Sequence, residues 1–352
     1  MQRRDFLRLP ALAIPALSVH AGKEEMNESA GYITNVGGIR VGHFTDQRRP
    51  TGCTVVIFAR GAVAGVDVRG SAPGTRETDL LNPINTVQQV NAIVLSGGSA
   101  FGLDTATGVM RYLEEHGMGF HLGPIVVPIV PAAILFDLNV GDAKIRPDAR
   151  AGYAACEAAS DSNVAEGNVG AGAGATVGKL FGVRYAMKGG LGTASVNVGD
   201  TGLVVGAIVA VNAAGDVVSH DTGKILAGVR TADGTALADG MARIMAGETV
   251  RPSHGANSTI GIVATNARLT KTEATKIAQM AHDGFARTIN PVHTAMDGDT
   301  IFAAGTGMSQ VTADVSTIGA VAAEVMARAV NRAVLMAVGI PGYPAHRDLI
   351  KG

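Results

Sequence analysis

Residues 254–267 read HGANSTIGIVATNA. A polar run with no hydrophobic period gives way at Asn257-Ser258 to TIGIVAT, a β-type run apolar at successive positions. A strand of that kind looks fully buried. Ser258 therefore stands where a loop enters a buried strand. The residue pattern leaves two readings open. Ser258 is a strand-edge serine, or it is a nucleophile. A hydroxyl is a weak nucleophile without a base, and one available base is the residue's own α-amine, whose pKa is about 8. That amine exists only if the Asn257-Ser258 bond is cut. The hydroxyl itself can make the cut by attacking the preceding carbonyl to give an ester that water then cleaves.

The elements around this strand mix strands with helices. ITNVGGIRVGHF and GCTVVIF read as short strands, and INTVQQVNAIVLSGG passes from a polar stretch into an apolar one. LDTATGVMRYLEEHG has helical spacing of Leu103, Val109, Met110 and Leu113, and 147–159 is an alanine-rich helix. GLVVGAIVAVNAAGDVV is two strands about an Ala-Ala-Gly-Asp turn, with Asn212 at the end of the first. Residues 227–257 have little period and many turn formers, which predicts a long exposed loop. After it, Thr270 and Glu273 have the capping-box spacing ahead of a helix carrying Ala274, Ile277, Ala278, Ala281 and Phe285 on one face. DGDTIFAAGTG leads into another strand. Asp314 to Val338 reads as a long helix with Ile318, Val321, Ala322, Val325 and Ala329 in register, stopped by Gly339 and Pro341.

The 352 residues are 47% hydrophobic and 17% charged, enough for one large core or two small ones. A formal net charge of -1 offers no footprint for a nucleic acid backbone. At the N-terminus, MQRRDFLRLPALAIPALSVHAG has Arg3-Arg4, an apolar run from Leu9 to Val19 and a small-residue site at Val19-His20-Ala21. It resembles a twin-arginine export signal over 1–21, predicting a soluble periplasmic or secreted protein with no membrane anchor once the signal is removed. Cys53 and Cys156 have no metal-type spacing and read as two buried thiols. The nine histidines show no metal motif, so neither a metal nor a cofactor is expected.

Several motifs invite chemistry and fail on spacing. NVGAGAGATVGKL has Ala173 where a Walker loop needs glycine and Leu180 where it needs Ser or Thr. Its glycines read better as close approaches of backbone. SGGSAFG has Phe101 where a nucleophile elbow needs its second glycine, leaving a tight turn with Ser99 capping a helix as the favoured reading. Asn257-Ser258-Thr259 also matches a glycosylation pattern, by chance in a chain carrying a bacterial-type signal.

The succession VRGSAPGTRETDLL, IVLSGGSAFGLD, VPIVPAAILFDL, EGNVGAGAGATVGK, KGGLGTAS and NSTIGIVATNA resembles the self-processing P1 family of peptidases, from about Gly31 to Pro341. That family includes the L-aminopeptidase/D-esterase and the β-peptidyl aminopeptidases. The resemblance implies a four-layer αββα sandwich of the kind shared with ornithine acetyltransferase and analogous to N-terminal nucleophile hydrolases. It implies one domain over 22–352 that cuts itself into 22–257 (α chain) and 258–352 (β chain), and a homo-oligomer of αβ units.

The family's nucleophile falls on Ser258, preceded by Asn257 where glycine often stands. Its oxyanion asparagine falls on Asn212, for which the bare sequence offers only the opening of a hairpin turn. A Ser-x-Glu pair that orients nucleophile and amine in some members corresponds here to Asp297 and Asp299, which otherwise form a plain Asp-Gly-Asp turn. A carboxylate there favours the charged amine, which helps hold a substrate ammonium and makes a poorer base. The implied activity is a serine aminopeptidase or amidase acting without a cofactor on small peptides, amides or esters through an acyl-enzyme on Ser258. An acyltransferase using the same acyl-enzyme, and an unprocessed binding protein, are the alternatives.

Overall fold

The computed structural model describes residues 31–251, 257–311 and 313–349. The expected export signal over 1–21 and most of the polar run before Asn257 lie outside the described residues. The strands that build the core are β1 (Ile39–Thr45), β2 (Gly52–Val68), β3 (Val90–Ser96), β4 (Ala132–Ile134), β5 (Gly190–Asn197), β6 (Val204–Asn212), β7 (Asp216–Val218), β8 (Ser258–Thr265) and β9 (Thr300–Gly305). The helices are α1 (Thr105–Glu115), α2 (Ala149–Glu157), α3 (Gly240–Met245), α4 (Lys271–Thr288) and α5 (Val315–Leu335).

Hydrogen bonding runs in the order β5-β6-β8-β9-β2-β3-β4 and ends on Thr75–Arg76, with β1 also on β2. Pairing is parallel for β8 with β9 and for β3 with β4. The long strand β2 makes this a sandwich. Its register shifts between Ile57 and Ala62. The first half pairs with β1 and β3, and the second half with β9. The sequence predicted only the seven-residue GCTVVIF; the strand continues to Val68 because the shift turns it from one layer into the next.

Alternation along the strands then sorts the side chains into three layers of core. Val56, Phe58, Ile93 and Leu95 from one sheet meet Ile208, Ile260, Ile262 and Phe302 from the other. On the outer face of the first sheet, Val55, Ile57 and Val94 meet Val109 and Leu113 of α1 and Ala155 of α2. On the outer face of the second, Val205, Val209 and Val263 meet Ile277 and Phe285 of α4 and Ile318, Val325 and Val330 of α5. The architecture is αββα, and β8 is buried along its whole length as the run TIGIVAT predicted.

The helix ends follow their caps. Glu273 Oε2 accepts from Thr270 N at 2.7 Å and Thr270 Oγ1 accepts from Glu273 N at 3.3 Å, closing the capping box. Asp314 accepts from Thr317 N at 3.0 Å at the head of α5. Cys53 and Cys156 are free and buried. Burial pushes the Cys156 thiol up to about 12.

Three expectations need correction. β6 and β7 do not form a hairpin: β7 pairs with Ile225–Ala227 and Ile289–Asn290 in a separate three-stranded sheet, so the turn after Asn212 carries the chain from one sheet to another. The segment after Ala227 is not wholly irregular. Asp216 accepts from Val229 N and Gly240 N, each at 2.7 Å, and Asp239 caps α3 through Ala242 N. Ser99 does not cap a helix with its side chain. It has φ 57 and follows Gly98 into a short 3-10 turn that lacks a side-chain cap.

Candidate active site

Three stretches far apart in sequence meet at one end of the interior strands of the second sheet. Asn212 closes β6 directly opposite Ser258, the first residue of β8. One step back, Asn257 bridges Asp297 in parallel register just ahead of β9. All four residues are buried, along with Asp299. The structure thus brings together every residue the sequence singled out for the site.

The Asn257-Ser258 peptide is held in a distinctive way. The Ser258 hydroxyl donates to the carbonyl oxygen of Asn257 at 2.5 Å, and Gly298 N–H donates to the same oxygen at 2.9 Å. A hydroxyl and a backbone N–H are therefore gathered on one carbonyl oxygen. Gly298 has to be glycine: a Cβ there would lie 2.6 Å from Ser258 Oγ and 2.5 Å from the Ala72 carbonyl oxygen.

Opposite them, Asn212 has a fixed orientation. Its Oδ1 accepts from Thr176 N at 3.0 Å and from Lys179 Nζ at 2.8 Å, which turns Nδ2 toward the Phe136 carbonyl at 3.1 Å. Lys179 also donates to the Asn212 backbone carbonyl at 3.0 Å. This lysine is 2% exposed, and burial pushes it down to about 7 against the pull of Asp297, Asp299 and Asp137.

The sequence reading missed Lys179 by testing Gly178-Lys179 only as part of a phosphate loop. Its setting among alanine, valine, leucine and glycine was the available signal, since a lysine placed among apolar residues needs partners. A second buried lysine, Lys188, donates to the carbonyls of Gly172, Ala175 and Gly189 at 2.9–3.0 Å and ties down the segment that reaches Asn212. The glycines of that segment allow close approach, as expected: a Cβ at Gly172 would lie 2.2 Å from Leu191 N. On the other side, Asp137 pairs with Arg49 at 2.6 Å and accepts from Thr51 and from Gly98 N, fixing the stretch that presents the Phe136 carbonyl.

The two carboxylates differ in their partners. Asp297 accepts from Thr294 N at 2.9 Å and Thr294 Oγ1 at 2.5 Å. Burial and the charge of Asp299 hold it above the usual carboxylate range, against these donors. Asp299 Oδ1 accepts from Thr259 N at 2.7 Å, and its Oδ2 accepts from His293 N at 3.2 Å with His293 Nδ1 2.9 Å away. Asp299 thus holds the amide just after Ser258, and Asp297 holds the loop that carries Gly298. Among the described residues no group of three or more His, Cys, Asp or Glu side chains is placed to hold a metal ion.

The model of peptidase family S58 matches residues 31–347. An uncharacterized aminopeptidase of Mycobacterium leprae is 44% identical over 91% of this chain and 94% of its own length. A 6-aminohexanoate-oligomer endohydrolase of Kocuria sp. is 30% identical over 84% of each chain. Among solved structures, the L-aminopeptidase D-Ala-esterase/amidase of Ochrobactrum anthropi, described as a variant of the Ntn hydrolase fold, superposes with a TM-score of 0.63 over 90% of this chain and 92% of that one, at 19% identity.

Proposed function

Since the chain belongs to peptidase family S58 and is a hydrolase of the aminopeptidase kind, we propose that it matures by cutting its own Asn257-Ser258 bond and that Ser258 is thereafter its catalytic nucleophile. The observation that carries this reading is the arrangement on the Asn257 carbonyl, with the Ser258 hydroxyl at 2.5 Å and Gly298 N–H at 2.9 Å on one oxygen.

In the maturation step, Ser258 Oγ forms a bond to the Asn257 carbonyl carbon and the C–N bond breaks. The hydroxyl proton ends on the departing Ser258 nitrogen, and water hydrolyses the resulting ester to leave Asn257 as a carboxylate. Gly298 N–H stabilises the charge that builds on the oxygen, an effect worth about 3–4 kcal/mol for one well-placed donor.

In turnover, the substrate carbonyl takes the place that Asn257 vacates. Ser258 attacks it, and the serine's own amine takes the hydroxyl proton and delivers it to the leaving amine. Asn212 pairs with Ser258 across the sheet, its Oδ1 is held by Lys179 and Thr176 and its Nδ2 donates to the Phe136 carbonyl; its second Nδ2 hydrogen is the further oxyanion donor of this proposal. Asp299 keeps the start of β8 in place through Thr259 N. The substrates are small peptides, amides or esters with a free N-terminal amine. The endohydrolase among the relatives favours a second reading, attack on internal amide bonds of small oligomers. Export by the arginine-pair signal and assembly of αβ units into a homo-oligomer complete the proposal.

The test is to incubate the purified protein with an aminoacyl p-nitroanilide and with its N-acetylated counterpart, and to stop the reaction in acid for mass spectrometry. Release from the free-amine substrate alone, with acyl mass on the chain that begins at Ser258, supports the aminopeptidase. Release from the acetylated substrate favours the internal-bond reading. Acyl mass on another residue refutes Ser258 as the nucleophile.

A further inference from the structure

Two glycine motifs whose spacing fits neither a nucleophile elbow nor a phosphate loop close on a single side chain. A Cβ at Gly97, just after β3, would lie 2.3 Å from Asp137 Oδ2, and a Cβ at Gly174 would lie 2.7 Å from the same oxygen. Gly98, in the left-handed region at φ 85, turns its N–H to Asp137 Oδ1 at 2.9 Å. Ser96-Gly97-Gly98 and the run Gly170 to Gly174 are thus the seat of a carboxylate, and the absent Cβ atoms are what let it in.

Asp137 is fully buried, and so is the side chain of its partner Arg49. Arg49 grips the chain after β4 through its whole fork. Nε donates to the Val140 carbonyl at 2.6 Å, Nη1 to the Ile145 carbonyl at 2.7 Å, and Nη2 to both the carboxylate, at 2.6 Å, and the backbone carbonyl of Asp137. Thr51 Oγ1 donates to the second carboxylate oxygen at 2.6 Å. A buried ion pair is weak evidence for stability, because apolar side chains of similar volume often hold a fold as well. What this pair supplies is direction: it fixes Asp137 against chain that is distant in sequence, at 49–51, 97–98 and 174.

Asp137 stands beside both ends of the Asn212 carboxamide. On one side, Phe136, whose carbonyl accepts from Asn212 Nδ2 at 3.1 Å, lies between Asp137 and Leu135, and Leu135 is itself bonded to Ser96 O and Ser99 N. On the other side, Gly174 leads to Thr176, whose N–H donates to Asn212 Oδ1 at 3.0 Å. The two ends reject the reversed carboxamide. Turned over, Nδ2 would face the Thr176 N–H and Lys179 Nζ, and Oδ1 would face the Phe136 carbonyl oxygen. That selection lasts only while those groups stay where they are.

We infer that Asp137, clamped by Arg49, is a positioning residue for Asn212: it steadies the acceptor at one end of the carboxamide and the donor at the other, and so keeps the side chain paired with Ser258 in one orientation. The kinetic part rests on Asn212 serving as the oxyanion donor proposed above. Loosening the clamp displaces that donor and leaves the substrate's other contacts in place. It therefore lowers kcat and spares KM, by about 100-fold for a displacement of roughly 1 Å.

Two variants separate the clamp from the fold. Arg49→Met/Asp137→Ala removes both charges together, so that neither is left buried alone. Asp137→Asn keeps the acceptor for Gly98 N–H and presents an amide to Thr51 Oγ1. Steady-state kinetics are measured on the matured protein with each set in the wild-type and in the Asn212→Ala background. The Asn212 side-chain amide is followed by ¹⁵N NMR and hydrogen exchange in the full chain carrying Ser258→Ala. The expected results are a kcat about 100-fold lower for the double variant with KM little changed, most of it regained in Asp137→Asn, and no further loss of kcat in Asn212→Ala. The Asn212 amide should shift and exchange faster in the double variant. Asp137→Asn shows a smaller loss of the same kind and carries the test alone if the double variant does not fold. Equal losses of kcat in both backgrounds would mark a purely structural role and overturn the inference, as would an unshifted Asn212 amide. If the wild type turns over no substrate but the amide shifts, the proposed function fails and the clamp stands.

Discussion

Replacing Gly298 by alanine probes the geometry of self-cleavage through one methyl group. An added Cβ would lie 2.6 Å from Ser258 Oγ and 2.5 Å from the Ala72 carbonyl oxygen. Both distances fall well inside van der Waals contact, and the second partner is backbone that cannot rotate away. Relief requires the strand start or the 297–299 turn to move by on the order of 1 Å, and such a displacement at a reacting centre costs about 100-fold in rate. The same movement withdraws Gly298 N–H from the Asn257 oxygen, now 2.9 Å away, and losing one oxyanion donor costs about 100- to 1,000-fold by itself. The two effects share one displacement and do not multiply, so the expected slowing of maturation is about 100- to 1,000-fold. Overpacking also destabilises the fold by about 1–3 kcal/mol. The assay is a time course of chain cleavage after cell-free synthesis, with thermal unfolding followed in parallel. Gly37→Ala, whose new Cβ would meet nothing nearer than Met308 at 3.8 Å, serves as the control and should mature at the wild-type rate. A folded Gly298→Ala protein that matures as fast as the control would refute the geometric reasoning.

Asn212→Ala should lower kcat about 100-fold or more, with a smaller change in KM, because it removes the amide opposite Ser258; steady-state kinetics on the matured enzyme would show it. Lys179→Met should impair kcat as well, because Asn212 Oδ1 loses its 2.8 Å ammonium partner, and a double-mutant cycle with Asn212→Ala should show strong non-additivity. Asp216 supplies a pH-dependent prediction. Burial raises its carboxyl from 3.8 to about 6. The folded chain therefore binds the proton more tightly than the unfolded one, and the contribution of this group to stability is full below 3.8 and is lost as pH rises through about 6. Melting temperatures of Asp216→Asn should lack that falling component between about pH 4 and 6.

The readable parts of this protein are those specified locally. TIGIVAT identified a fully buried strand, the Thr270/Glu273 capping box placed the start of α4 because a cap is set by residues three apart, and the apolar register after Asp314 marked α5. The resemblance carried Asn212, Ser258, Asp297 and Asp299 to positions that the fold brings to one end of the interior strands. What stayed hidden depends on contacts distant in sequence. The bend in β2 reflects two different pairing partners for its two halves. The separation of β6 from β7 depends on a third strand at Ile289–Asn290. The apolar setting of Lys179 signalled that it needs partners, but which groups receive it and Lys188 shows only when the distant carbonyls are assembled.

The central claim is that Ser258 cuts the chain that carries it, and the direct measurement is the denatured mass of the purified wild-type protein beside Ser258→Ala. The account predicts two chains for the wild type, the smaller beginning at Ser258, and one uncut chain for the variant. A folded wild-type protein that remains a single chain, or a variant that is cut at the same bond, would contradict it.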